Sequence, residues 1–303
     1  MDITLENKFN QTSVRQVERI HKPTPDDFKH TVLSSKHPVI FTGIVAEWKA
    51  FSLWSLDYLN TVLGNKEINA RVSDNKIFTF DPEVGVTYPT KKMKFTDFTD
   101  WIVQNKKDDQ YYYIQQYPIH TSFPELFPDI AIPDIIDKNL SLDTARWMGI
   151  PEMEIQEFID KYLSLTTIFW MSTNGNITQL HHDPVESVLC QVRGRKRILL
   201  FEPKQSSFLY PFLKNSKIPF MSQLNIDQPD IDKFPKFINA KYIECILEPG
   251  EILYFPSFWW HQVYSLDELN ISVSFVWNAK IKKFFRRKLF KEKNKFKNLN
   301  FCR

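Results

Sequence analysis

From about Gln110 to Trp277 the chain carries short β-forming stretches cut by glycine and proline turns, and that rhythm admits few architectures. Candidate strands are Tyr111–Gln115, Thr166–Met171, Ser187–Val192, Lys196–Phe201, Tyr242–Leu247, Glu251–Phe255 and Asn270–Trp277. Val192-Arg193-Gly194-Arg195-Lys196 reads as a tight hairpin, and Glu248-Pro249-Gly250 as a second turn. Many short strands joined this way pack as a sandwich or a barrel. Between Phe201 and Tyr242 lies a Pro- and Asp-rich insertion, long enough to cover or border a site.

Ahead of this region, short helices and strands mix. Thr24-Pro25-Asp26-Asp27 predicts a helix start, with a capping hydroxyl, a proline at the first position and acids in the first turn. His37-Pro38-Val39-Ile40-Phe41-Thr42-Gly43 predicts a strand closed by a glycine turn. Trp54 to Gly64 predicts a helix capped by Ser55, and a second amphipathic helix is expected from Thr96 to about Gln104. The chain divides into an N-terminal α/β extension packing on the barrel (1–110), a main β domain (111–280) and a basic tail (281–303).

At 303 residues, 43% of them hydrophobic, the chain can bury one large core. No apolar run is long enough to span a membrane. The start, Met1-Asp2-Ile3-Thr4-Leu5-Glu6, lacks the basic and apolar stretches of a secretory signal, so a cytoplasmic or nuclear location is expected. Cys190, Cys245 and Cys302 are too few and too scattered for a disulfide framework or a cysteine-rich zinc module. Charge is unevenly spread. Lys280 to Arg303 holds 11 Lys/Arg against the single acid Glu292, leaving a net of −7 on the rest. Such a tail is a solvated or loosely helical segment, or a contact for nucleic acid, an acidic protein or the nuclear-import machinery. Its Phe284, Phe285, Leu289 and Phe290 could also pair two copies into a homodimer, or pack on their own barrel.

With seven glycines in all, the chain has no Gly-rich phosphate loop and no dinucleotide fingerprint, and it has neither a Gly-x-Ser-x-Gly elbow nor a Cys-x-x-Cys pair. Its chemistry lies in Leu180-His181-His182-Asp183-Pro184. Residues i and i+2 of a strand share a face, so His181 and Asp183 can converge on one metal while His182 points away. The best third ligand is His261, which ends the apolar run Leu253-Tyr254-Phe255-Pro256-Ser257-Phe258-Trp259-Trp260. A lone histidine beside tryptophan is more often a hydrogen-bonded core residue, and His-x-Asp alone is common. Two imidazoles and one carboxylate together leave half an octahedron open, which suits non-haem Fe(II).

From Tyr111 to Trp277 the chain resembles the JmjC oxygenases, above all their small hydroxylase branch. That branch holds the hypoxia-inducible-factor asparaginyl hydroxylase, a JmjC arginyl hydroxylase and the tRNA wybutosine hydroxylase. The matching segments are Asn174-Gly175-Asn176-Ile177-Thr178, His181-His182-Asp183-Pro184, Gln191 to Arg197, Asn225-Ile226-Asp227-Gln228-Pro229-Asp230, Glu248-Pro249-Gly250-Glu251, Pro256 to His261, and Ser272 to Phe275. Phe123-Pro124-Glu125-Leu126 and His37-Pro38-Val39-Ile40 most resemble the arginyl hydroxylase.

The resemblance implies a mainly β fold with flanking helices, a double-stranded β-helix (the jelly-roll of cupins) with Fe(II) near one open end. It implies His181, Asp183 and His261 as metal ligands, with 2-oxoglutarate and O2 as co-substrates. Lys196 sits where these enzymes bind the distal carboxylate of 2-oxoglutarate, and Thr178 and Tyr113 match hydroxyls used for the same purpose. Ser187 departs from the asparagine of several relatives, and Ser274 fits a position that varies between Asn and Ser. Trp170 and Trp277 are either pocket walls or core. Hydroxylation of a protein side chain is the expected reaction. Methyl-lysine demethylation and tRNA-base hydroxylation are alternatives within the same chemistry, and a catalytically silent binding barrel is the alternative outside it.

Overall fold

The computed structural model describes residues 16–32, 35–80, 82–83, 89–104, 110–136 and 167–277, so the expectations for Thr166 and for the tail lie outside the described residues. The strands, in chain order, begin with β1 (Glu18–His21), β2 (Val39–Thr42), β3 (Glu67–Ser73), β4 (Ile77–Phe78) and β5 (Thr90–Lys94). They continue with β6 (Tyr111–Pro118), β7 (Thr167–Ser172), β8 (Ile177–His182), β9 (Glu186–Arg193) and β10 (Lys196–Phe201). The last are β11 (Ile243–Leu247), β12 (Ile252–Phe255), β13 (Trp260–Ser265) and β14 (Asn270–Trp277). One sheet runs β1-β2-β12-β9-β14-β7-β6-β3-β5, and the other β11-β10-β13-β8-β4. Two facing sheets of this kind make the expected jelly-roll.

Alternation along the strands sorts side chains into layers. On the outer face of the large sheet, Phe169, Val188, Cys190, Tyr254 and Phe275 pack under helices that contribute Trp54, Leu59, Phe95 and Phe98. Ile198, Leu200, Leu253 and Phe255 fill the space between the sheets. Leu180, Leu199, Trp260 and Tyr264, on the outer face of the small sheet, are covered by the insertion through Leu224, Ile226 and Phe237. Among the described residues no helix is long and apolar enough to cross a membrane.

The helices form where capping residues place them. Thr24 and Asp27 complete a reciprocal capping box, and the Ser55 hydroxyl accepts from Tyr58 N–H at 3.2 Å to start Leu56–Leu63. The second helix runs Phe95–Val103, within one residue of expectation at each end. A buried carboxylate, Asp129, ties helix to loop by accepting from Trp54 Nε1 at 3.0 Å and Tyr58 Oη at 2.6 Å.

The Val192–Lys196 segment is not a hairpin. β9 pairs with β12 and β14 in one sheet, whereas β10 pairs with β11 and β13 in the other. The turn is a corner that carries the chain between sheets. Its polar groups are taken up accordingly. Gln191 donates to the Arg193 and Gly194 carbonyls at 2.7 Å each, and Asp267 accepts from the Arg195 backbone and guanidinium. Gly194 sits at φ +66°, and a Cβ there would meet the Leu269 carbonyl oxygen at 2.2 Å. Gly194→Ala should therefore destabilise the protein by about 2 kcal/mol or more, seen as a lower urea midpoint with an unchanged slope.

Candidate metal centre

β8 and β13 run antiparallel, with His181 and His261 as directly opposed partners. Their ring centroids are 4.2 Å apart. Asp183 follows two residues after His181, and its backbone carbonyl accepts from Phe258 N–H at 2.7 Å, which fixes the exit from the strand. One donor atom from each of His181, Asp183 and His261 lies within 4.8 Å of the others, with His261 Nε2 to Asp183 Oδ2 at 3.8 Å. His182 points the other way, as alternation requires, and packs edge-on to Trp260 at 4.6 Å.

The donor set fits a transition ion. His181 Nδ1 donates to the Gln179 carbonyl at 2.8 Å and His261 Nδ1 to the Trp259 carbonyl at 3.0 Å. Both bonds fix the tautomer that leaves Nε2 unprotonated, the arrangement that metal-binding histidines adopt. Burial, followed by the neighbouring His181, pushes His261 well below the usual imidazole range and keeps the ring neutral.

These three residues face a cavity of about 370 Å³ between the sheets. Lys196, the first residue of β10, lines the same cavity at 3% exposure. No ion pair involving Lys196 occurs among the described residues, and burial pushes its ammonium down to about 8. Thr178, Tyr113, Ser187, Ser274 and Trp170 also line the cavity. The Ser274 hydroxyl accepts from Trp170 Nε1, and Tyr113 packs at 6.3 Å against the Trp170 ring. Trp277 ends β14 opposite Glu186, and its side chain lies outside the described residues.

Several lining residues escape sequence reasoning. Arg71 of β3, 2% exposed, donates to the Gln115 side chain and to the Thr79 carbonyl at 3.1 Å, with Phe80 at 5.1 Å over its guanidinium. Nothing in Asn69-Ala70-Arg71-Val72 marks that arginine as inward-facing. Phe220 and Met221 come from the insertion, whose expected place beside a site they take up.

The sequence profile of the cupin-like domain family matches residues 25–283. The chain belongs to the cupin-like JmjC family. Among its relatives is the lysine-specific demethylase 8 of Danio rerio, 34% identical over 272 residues, covering 87% of this chain and 59% of that protein. Lysine-specific demethylase JMJ30 of Arabidopsis thaliana is 33% identical over 245 residues, covering 80% and 50% respectively. The human tRNA wybutosine-synthesizing protein 5 is 27% identical over 276 residues, covering 86% and 77%. The chain thus spans little more than half the length of the demethylase relatives it matches. This JmjC cupin should be stabilised by Mn(II) or Fe(II) in a thermal melt, with about 2.7 kcal/mol gained at a hundredfold excess over Kd. Chelator should reverse the shift, and His261→Ala should show none.

Proposed function

We propose that the chain is an Fe(II)- and 2-oxoglutarate-dependent oxygenase that hydroxylates a protein side chain. The observation that carries this reading is one cavity lined by His181, Asp183 and His261 together with a buried lysine, Lys196, on the neighbouring strand β10 of the same sheet, with no carboxylate paired to it among the described residues. When bound, Fe(II) with 2-oxoglutarate and O2 supplies the oxidising power for an unactivated C–H bond, with succinate and CO2 as by-products.

The chain's own residues hold and orient. The Lys196 ammonium would hold the distal carboxylate of the co-substrate, and the Thr178 and Tyr113 hydroxyls line the same cavity. A charge-assisted bond of this kind contributes about 1.5–3 kcal/mol. Ser187 and Ser274 offer further hydroxyls from the facing sheet, where Trp170 adds an apolar surface that limits water.

Demethylation of methyl-lysine is the second reading, favoured by the names of the demethylase relatives. Among the described lining residues, however, Asp183 is the single carboxylate, and Arg71 adds a guanidinium. That lining disfavours a methylammonium group and suits a neutral or acidic side chain. The relatives named for wybutosine synthesis keep a tRNA-base substrate as a third reading.

Purified protein with Fe(II), ascorbate and 2-oxoglutarate should form succinate, and His181→Ala should abolish it. Candidate peptides that raise turnover should gain 16 Da by mass spectrometry. A loss of 14 Da from methyl-lysine peptides with formaldehyde release would move the assignment to demethylation. No turnover from a folded protein loaded with iron would favour a silent binding barrel.

The affinity for 2-oxoglutarate should depend on pH with a defined sign. Lys196 must be protonated to attract the dianion, so Kd should begin to rise as pH climbs through about 8. The rise should approach about tenfold per pH unit, and Lys196→Met should bind weakly with no such onset.

A further inference from the structure

β8 and β13 stay in step at His182–Trp260 and His181–His261, then slip: the next partners are Thr178 and Val263. β8 thus places two residues, Gln179 and Leu180, opposite the single Gln262 of β13, which is a β-bulge. On a regular strand, residues three apart point to opposite faces. The bulge cancels one step of the alternation. Thr178 and His181 both line the cavity, whereas Leu180 packs on the far side of the sheet with Trp260 and Tyr264. A metal-ligand candidate and a co-substrate anchor share one wall only because of this irregularity.

A bulge interrupts the ladder and needs another partner for the displaced backbone group. Here the Leu180 N–H donates to Gln262 Oε1 at 3.1 Å, and the Gln179 carbonyl accepts from the His181 ring. Gln262 is 2% exposed and is itself held. Its Nε2 donates to Tyr264 Oη at 2.6 Å and Asp227 Oδ2 at 3.2 Å, while Tyr264 Oη donates to Asp227 Oδ1 at 2.7 Å. Asp227 belongs to the Asn225–Asp230 segment of the insertion, which the metal and co-substrate chemistry leaves without a role. The insertion also runs along β8 itself. Phe220 O accepts from His182 N–H at 3.0 Å, and Ser222 N–H donates to Leu180 O at 2.9 Å.

We infer that Gln262 is a positioning residue: it holds the β8 bulge and so seats Thr178 and His181 on one wall, with Tyr264 and Asp227 of the insertion fixing its amide. This rests on the reading of His181 as a metal ligand and Thr178 as a co-substrate anchor, and it names the group that sets their spacing. Leucine at position 262 has similar bulk and no acceptor. It would leave the Leu180 N–H buried without its partner, and the bulge would re-register at the expense of Thr178 or His181.

The test uses the full chain with Co(II), whose visible spectrum reports ligand geometry, followed by 2-oxoglutarate titrated into the Co(II)-loaded protein. Wild type, Gln262→Leu and Tyr264→Phe are compared, each with a thermal melt to establish folding. Gln262→Leu should bind Co(II) about tenfold more weakly, with a shifted visible band and weakened 2-oxoglutarate binding. Tyr264→Phe should move the same readouts by a smaller factor. A folded Gln262→Leu with wild-type affinities and spectrum overturns the inference. Should that variant not fold, Tyr264→Phe decides alone, an unchanged spectrum and affinity counting against the inference and a shift counting for it. Wild type that takes up no Co(II) brings down the metal reading itself, an outcome distinct from a variant that behaves like wild type.

Discussion

The site depends on two imidazoles set directly opposite each other across one pair of strands. His181 and His261 stand 4.2 Å apart by ring centroid, a distance at which two imidazolium ions would repel strongly in a buried place. Burial keeps His261 neutral, and backbone carbonyls hold both rings in the tautomer that turns Nε2 toward Asp183. The small sheet is clamped between the inter-sheet core and the insertion, so neither β8 nor β13 can tilt without disturbing both.

Much of this was readable in advance, for identifiable reasons. A period of two residues makes His181-x-Asp183 a shared face in any strand, and the turn before His261 supplied a plausible third ligand. Ser55 and Thr24 announced helix starts because capping is local chemistry. The errors arose where tertiary contacts decide. A glycine turn between two apolar runs looks the same whether the strands pair or part, so the corner at Gly194 read as a hairpin. β13 did not stand out because Trp260–Ser265 is buried on both faces and shows no alternation. Thr178 was assigned by resemblance alone. On a regular strand it would face away from His181, and the bulge that brings the two together leaves no mark in a sequence. Arg71 faces the cavity and Gln262 faces the insertion for reasons set by partners far along the chain.

Lys196 carries an electrostatic cost. Its ammonium is buried with no carboxylate partner among the described residues, and a fall from 10.5 to about 8 corresponds to roughly 3 kcal/mol against the folded state at neutral pH. The folded form binds fewer protons than the unfolded one between those values, so stability from this group rises as pH climbs from 8 toward 10.5. A charge held at such expense in the cavity of the candidate metal centre is what preorganisation for an anionic ligand requires.

The corner at Gly194 bears on how the protein acquires its shape. β9 and β10 follow one another without pairing, and each takes its partners from later in the chain. Loop-closure entropy must be met before those pairings give anything back, which places such a topology among slow folders. His181 and His261 come from strands 80 residues apart that meet only when β13 docks. A nascent chain whose synthesis has not passed β13 therefore lacks the second imidazole of the candidate metal centre.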